Sequence, residues 1–420
     1  MIDVNTVNAF FSWQFWAFFG IVLEIFGFVL MTFLWGKHPK MEQYLKWIDA
    51  HEAVVSEWRA GMTLVRMQKA KESKKWYTML PWSYMYIDDV QKDKTERNIK
   101  LVAYLANYTN ADKNNCEHAA KLSKCDLVSE TVSEFPKLQG IIGRNIAFLN
   151  NENEEICTAI EEQYLPKQSG GKLPTTPVGI TLALADRLDT LVGIFAIGKK
   201  PTGLKDPYGL RRAALAVLRI IIETPLNIDL SKCLEKAATF FPDKLNADKA
   251  VGDVQEYINE RYRAYFSDRD IPVDVIDSVL ANHPTHPSDV AAKIDALMSF
   301  RKLPNAESLA AANKRIRNIL KKIDRDNIGE VDISLFKENA ESTLHSALVS
   351  LSGDVENLFK DNKYEQALNK LADLRQPVDS FFDDVMVMDK DKKLKANRIA
   401  LLSRIDSLFM HVADFSRLQS

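Results

Sequence analysis

The sequence predicts an all-α protein, and three observations support this fold class. Apolar residues recur at spacings of three and four, as in Leu101, Leu105 and Tyr108, and the same period continues through 178–195 and 209–222. This spacing places apolar side chains on one face of a helix. Alternating apolar and polar residues, typical of strands, are scarce, and Pro and Gly gather in connecting segments such as 167–177.

Composition describes an ordinary globular chain with more than one domain. Its 420 residues exceed a typical single domain, and 46% hydrophobic with 27% charged residues is a usual balance for a protein with a buried core. A formal net charge of -2 argues against a protein that is basic overall, although a local basic face remains compatible with it. The four cysteines form no CxxC pair, which favours a reducing, cytoplasmic setting.

Residues 1–40 contain a predicted membrane-spanning helix. The run from Phe15 to Trp35 is apolar except for Glu24 and Thr32, and it has about the 20 residues that a bilayer span needs. Basic residues follow this run rather than precede it, so the positive-inside rule places the rest of the chain in the cytoplasm. We therefore expect a tether to the inner face of the cell membrane. A buried helix, or a segment foreign to the rest of the chain, is the alternative.

Residues 41–92 form a predicted helical segment of unknown role. Leu45, Ile48, Trp58 and Met62 lie close to helical spacing. The polar stretch 88–97 then reads as a junction, so a first globular domain is predicted over 93–302.

Two aspartates stand out within this predicted domain. Asp186 and Asp189 are three residues apart and therefore lie on one helix face. Such a pair can bind a metal or position a base, and it can equally form an acidic surface paired with nearby arginines. No choice between these roles follows from spacing alone.

The next helix has a recognisable start. Asp206 suits the N-cap and Pro207 the first helical position, and the apolar face that follows is typical of a packed helix. Arg211 and Arg212 come one turn later. They could contact RNA phosphate or a partner subunit, or they could pair with the acidic residues nearby.

A second helical domain is predicted over 303–420, beginning with a basic amphipathic helix from about 308 to 323. Lys314, Arg317 and Lys321 fall at spacings of three and four, opposite the apolar Ile316 and Leu320. A helix that contacts phosphates needs one buried and one basic face. A solvated basic face with no ligand is the ordinary alternative.

Several catalytic motifs are missing from the sequence. It contains no GxxxxGK[ST] phosphate loop, no nucleophile elbow, no HIGH-like or KMSKS-like adenylation motif and no Rossmann fingerprint. We therefore predict no catalytic residue, no metal ligand and no adenylation site in this chain.

The strings KTER, KCDL, ALADRLDTL, DPYGLRRAALAVLRI, ANKRIRNIL and VMVMDKDKKLKANRIALL follow one another between residues 93 and 419. In this order they resemble the C-terminal half of the β subunit of the bacterial α2β2-type glycyl-tRNA synthetase. The N-terminal half of that family's subunit has no counterpart here, and residues 1–92 resemble nothing in the family.

The ALADRLDTL string is also similar to the last helix of HD-superfamily phosphohydrolases, which bind a metal through a His, a His-Asp doublet and a distant Asp. Cys125 stands where the His of the doublet would be, Asp126 matches its Asp, and no His occupies 93–104. The resemblance implies an HD-like helical domain without hydrolase activity. Its remnant of the metal site would serve packing and subunit contact and comprises Cys125, Asp126, Asp186 and Asp189.

The C-terminal strings are similar to the helical anticodon-binding domain of the same subunit, a relative of the arginyl-tRNA synthetase domain. The resemblance implies a DALR-like domain. We predict that Phe381, Phe382 and the run from Met386 to Met388 lie in the core rather than stack on bases. The residues that the resemblance offers as candidates for binding tRNA are Lys314, Arg315, Arg317, Lys321, Arg398 and Arg404.

The resemblance implies a tRNA-binding, non-adenylating part of a glycine–tRNA ligase that acts on glycine tRNA with an α subunit, in an α2β2 assembly. ATP and Mg²⁺ would be used by the complete ligase, and this chain alone would bind no cofactor. Because half of the family's subunit is missing, we expect the chain alone to be inactive in ligation. The alternative is a membrane-tethered RNA-binding or regulatory protein without ligase activity, with an HD-type hydrolase as a third reading.

Overall fold

The computed structural model describes residues 89–418, except 169, 202–205, 268, 305, 322 and 324–327. Within that part of the chain every regular element is helical, which confirms the all-α prediction. The α-helices are α1 (Asp89–Thr109), α2 (Lys113–Leu122), α3 (Glu130–Glu134), α4 (Ile141–Leu149), α5 (Glu154–Glu162), α6 (Pro177–Ala196), α7 (Leu210–Glu223), α8 (Leu230–Ala238), α9 (Ala247–Ser267), α10 (Val273–Leu280), α11 (Pro287–Phe300), α12 (Ala306–Leu320), α13 (Asn339–Lys360), α14 (Tyr364–Leu371), α15 (Arg375–Asp384) and α16 (Lys392–Met410).

The predicted membrane span at 15–35 and the helical segment at 41–88 lie outside the described residues. Among the helices from α1 to α16, none is both long enough and apolar enough to cross a membrane. The predicted junction at 88–97 is helical from residue 89 onward, since α1 begins at Asp89.

The chain divides into two compact units. In the described residues the first unit comprises 89–96 and 118–163, and the second comprises 97–117 and 164–418.

The first unit is built around the packing of α4 against α5. Its small apolar cluster centres on Val132, Leu138 and Ile142. A Cβ atom on Gly143 would lie only 2.7 Å from Cγ2 of Ile160, so glycine is what lets the two helices approach this closely.

The centre of the second unit is α6, which is buried along most of its length and packs against α7, α8 and α9. Thr176 caps its start, because the hydroxyl oxygen accepts the Gly179 N–H at 3.0 Å while Pro177 occupies the first turn. The C-terminal half of α1 runs antiparallel to α6. Asn98 contacts Asp186 at one end, and Thr109 contacts Thr181 at the other.

Helix α7 begins later than the sequence predicts, at Leu210 rather than at Pro207. The segment from Asp206 forms a turn, and Gly209 adopts a φ of 66°, which glycine tolerates at low cost. Asp206 still caps the helix, because its carboxylate accepts the N–H groups of Leu210 at 2.8 Å and Arg211 at 2.9 Å.

The C-terminal helices continue the same unit. Helix α13 packs against α14 and α15, and α12 packs against α16. The buried Phe415 ring lies 5.3 Å from that of Phe300 on α11 and 4.9 Å from that of Phe409 on α16, measured between ring centroids. These aromatic contacts join the 3-10 turn at Phe415 to α11, which precedes α12, and to α16.

Candidate nucleic-acid interface

Helix α12 has the two faces that its sequence predicts. Leu309, Ala312, Ile316 and Leu320 are buried against the unit. On the opposite face the exposed side chains are Lys314, Arg315 and Asn318, with Lys321 directly after the helix. Three cations therefore project into solvent within about two turns of helix.

Arg317 does not belong to this exposed face, and its place in the predicted basic stripe is corrected. Its guanidinium donates to Asp406 at 3.2 Å and to Asp414 at 2.9 Å, and only 12% of the side chain is exposed. Burial lowers the pKa of Arg317, but the two carboxylates outweigh it and raise the pKa above its ordinary value. A helical spacing of three and four placed Arg317 near Lys314, whereas two distant aspartates hold it against the core.

Arg398 is likewise corrected from a surface contact to a buried group. Its side chain is 4% exposed and donates to Glu341 Oε1 at 2.9 Å, to Asp389 Oδ2 at 2.8 Å and to the Met386 carbonyl at 2.9 Å. Burial raises the pKa of Glu341, yet its bonds from Arg398 and from the N–H groups of Glu338 and Lys337 lower it overall. Arg404, by contrast, is exposed on α16.

A groove of about 950 Å³ runs along this surface. One wall is the exposed face of α12, and the other is the end of α15 together with residues 385–388 of the irregular segment that follows it. The Arg315 guanidinium lies 4.1 Å from the centroid of the Phe382 ring, a cation–π contact that holds the cation at the rim. The groove is thus lined by two cations, Lys314 and Arg315, by two exposed carboxylates, Asp383 and Asp384, and by the Phe382 ring.

Two methionines on the second wall are exposed, contrary to the predicted core position. Met386 is 73% and Met388 is 50% exposed, whereas Phe381 and Phe382 are buried as predicted. A second groove of about 370 Å³ adjoins the first, since both are lined by Ala311 and Lys314.

The predicted remnant of a metal site has polar partners of its own. The Asp189 carboxylate accepts two bonds from Arg97, at 2.6 and 3.1 Å, and the Arg97 guanidinium lies 4.2 Å from the Phe241 ring centroid. Asn98 Nδ2 donates to Asp186 at 3.4 Å. The asparagine thus contacts Asp186 from within the segment 93–104, where the sequence lacks the His of a hydrolase.

The Asp126 side chain caps a helix in the first unit. Its Oδ2 accepts the Gly140 N–H at 2.7 Å, directly before α4, and the residue is fully buried. Burial raises the pKa of Asp126, and the bond from Gly140 only partly opposes this. Cys125 is also buried, and its thiol lies 3.8 Å from the Lys121 carbonyl. Among the described residues no group of three His, Cys, Asp or Glu side chains could hold a metal ion.

Arg211 and Arg212 differ in exposure at the start of α7. Arg212 is exposed and Arg211 is half-buried. The Asp206 carboxylate already accepts the first N–H groups of this helix, so the helix end itself offers little to a phosphate.

Sequence reasoning missed Arg97 and Asn98 as the partners of the two aspartates. A signal for Arg97 was present, because it stands four residues before Leu101 and eight before Leu105, both fully buried. A charged residue on the apolar face of a helix predicts a buried partner.

Comparison with known proteins agrees with this arrangement. Residues 89–281 match the family model described as glycyl-tRNA synthetase beta subunit, and residues 309–413 match the DALR anticodon binding domain. Curated relatives named glycine–tRNA ligase beta subunit include those of Aliivibrio fischeri MJ11 and Vibrio parahaemolyticus, each 45% identical over 328 residues, and of Histophilus somni 129Pt, 46% identical over 328 residues. Each alignment covers 78% of this chain and 48% of the relative.

The chain therefore spans about half the length of the curated relatives it matches. Residues 89–281 are thus similar to the glycyl-tRNA synthetase beta subunit family, and residues 309–413 are similar to the DALR anticodon binding domain.

Proposed function

We propose that the chain is a tRNA-binding, non-adenylating part of a glycine–tRNA ligase, with glycine tRNA as its nucleic-acid partner. The observation that carries the proposal is the exposed basic face of α12 beside the groove, in the region that matches the DALR domain. Lys314, Arg315 and Lys321 supply the positive charge that phosphates attract, and Arg404 adds an exposed cation on α16.

The test is a titration of a transcribed glycine tRNA with the full chain over a series of salt concentrations. Phosphate contacts release counterions, so affinity should fall linearly on a log–log plot. Lys314→Ala, Arg315→Ala and Lys321→Ala should each reduce the slope by about one. Lys249→Ala, an exposed lysine on α9, is the matched control and should leave the slope unchanged. A slope near zero for the unaltered chain would refute the proposal.

The proposal assigns glycine activation, with its ATP and Mg²⁺, to an α subunit in an α2β2 assembly rather than to this chain. Support comes from the names of the relatives and from the missing adenylation motifs. Cys125, buried and bonded to a carbonyl, and Asp126, bonded to Gly140, do not fit a metal site. Co-purification with an α subunit followed by a glycylation assay tests this division, because the chain alone should form no glycyl-adenylate.

Residues 15–35 support a further proposal, a tether that holds this cytoplasmic chain on the inner face of the cell membrane. The basis is the apolar run in the sequence and the basic residues after it. Fractionation of cells that carry the full chain, or a chain without residues 1–40, tests the tether. Recovery of both chains in the same fraction would contradict it.

A further inference from the structure

Arg398 joins three separate parts of the second unit. It stands on α16, its bond to Glu341 reaches the start of α13, and its bonds to Met386 and Asp389 reach the segment 385–391. Glu341 in turn accepts the N–H groups of Lys337 and Glu338, at 2.8 and 2.9 Å. A single guanidinium therefore fixes the position of one irregular segment against two helices.

Residues 385–388 of that segment form the second wall of the groove together with Phe382, Asp383 and Asp384 at the end of α15. The segment carries the exposed Met386 and Met388 opposite Lys314 and Arg315, and it has no regular secondary structure of its own. Asp389 makes two bonds there. Its Oδ2 accepts from Arg398 on α16, and its Oδ1 accepts the N–H of Asp391 within the segment at 2.9 Å. These side-chain bonds, rather than a helix or a strand, hold the part of the wall formed by residues 385–388.

We propose that Arg398 is a positioning residue for the RNA-binding groove, acting through Asp389 and the Met386 carbonyl to hold the segment 385–391 in place. The inference rests on the proposed tRNA-binding function and deepens it. With 4% of its side chain exposed and its donors committed to two carboxylates and a carbonyl, Arg398 is not a phosphate contact. Asp389 itself is a partly exposed carboxylate next to this wall, and by its charge alone it would repel RNA.

Because Asp389 is negatively charged, its removal tests the proposal. The direction in which RNA affinity changes distinguishes a charge effect from a positioning role. Removing a carboxylate beside a polyanion should tighten RNA binding if charge alone matters. Removing Asp389 should weaken binding if its role is to hold the wall. Asp384 is a matched control, because it lines the same groove and takes no part in the bonds made by Arg398.

The experiment compares the full chain with Asp389→Ala, Asp384→Ala and Arg398→Lys, using a transcribed glycine tRNA over a salt series. Asp389→Ala should weaken binding by about tenfold, the equivalent of one charge-assisted bond, with an unchanged salt slope. Asp384→Ala removes a groove carboxylate that makes no bond to Arg398, so it should tighten binding. Arg398→Lys keeps the charge but not the forked geometry, so it should weaken binding as Asp389→Ala does.

Hydrogen exchange without RNA gives an independent measurement. The amides of 385–391 should exchange faster in Asp389→Ala than in the unaltered chain, while those of α12 keep their rates. If Asp389→Ala tightens binding, or leaves the exchange of 385–391 unchanged, the positioning role is refuted. The proposed function still stands in that case, provided that the unaltered chain binds tRNA in a salt-dependent way. If the unaltered chain shows no salt-dependent binding, the proposed function fails and this inference fails with it.

Discussion

Arg317→Ala separates a buried ion-pair role from an RNA contact. The substitution removes the partner of Asp406 and Asp414, whose side chains are 4% and 6% exposed. Breaking a buried pair from one side leaves an uncompensated charge and typically costs about 3–5 kcal/mol. Because 12% of the Arg317 side chain remains exposed, we expect a loss near the lower end, about 3 kcal/mol.

Urea unfolding followed by circular dichroism measures this loss. The midpoint should shift to lower urea with little change in the slope, since the unfolded surface is similar. Lys314→Ala, three residues earlier on the exposed face of α12, should change the free energy of unfolding by no more than about 0.5 kcal/mol. The two variants should therefore show opposite patterns. Lys314→Ala should change the salt slope of tRNA binding but not the stability, and Arg317→Ala should change the stability but not the salt slope.

Acidification should reduce the difference between Arg317→Ala and the unaltered chain. Burial raises the pKa of Asp414, but the Ser416 hydroxyl and the Arg317 guanidinium lower it overall. A carboxyl whose folded pKa is depressed adds stability at pH values above its unfolded pKa of about 3.9, and that stability is lost as pH falls through the folded pKa.

One result for Arg317→Ala would refute the ion-pair role of Arg317. That result is a stability loss under about 1 kcal/mol at neutral pH together with a salt slope of tRNA binding reduced by one.

Three further predictions concern the first unit and the helices around α6. Gly143→Ala should destabilise the chain by about 1–3 kcal/mol in urea unfolding, since the new Cβ meets Ile160 at 2.7 Å; Gly252→Ala, with nothing within 4 Å, should not. Asp206→Ala should cost about 1 kcal/mol in the same assay through the lost cap of α7, and no change would contradict the cap. The unaltered chain should show no metal-dependent phosphohydrolase activity; activity that Asp186→Ala abolishes would overturn the absence of a hydrolase site.

Much of the helical architecture follows from the period of apolar residues. The bounds of α6 and α7 lie close to the predicted runs 178–195 and 209–222, and α12 has its predicted buried and basic faces. Periodicity identifies a face, but it does not identify what lies against it. Arg317 was misplaced because its partners come 89 and 97 residues later in the sequence.

The wall of the groove was mispredicted for a different reason. The segment 385–391 has no regular element, so the run of apolar residues there gives no period from which a face could be assigned. Met386 and Met388 are exposed while Val387 between them is buried. This alternation occurs in the segment that Arg398 bonds, and those bonds link residues from two helices and one irregular segment.

The contacts of α1 with α6 also bear on how this fold could change over evolution. The Arg97 guanidinium pairs with Asp189, one helical turn from Asp186. A single Asn98→His change would add an imidazole beside Asp186, but an incoming divalent cation would still meet a fixed positive charge nearby. A metal site at this position would therefore require at least two substitutions, one that supplies a ligand and one that removes the charge of Arg97.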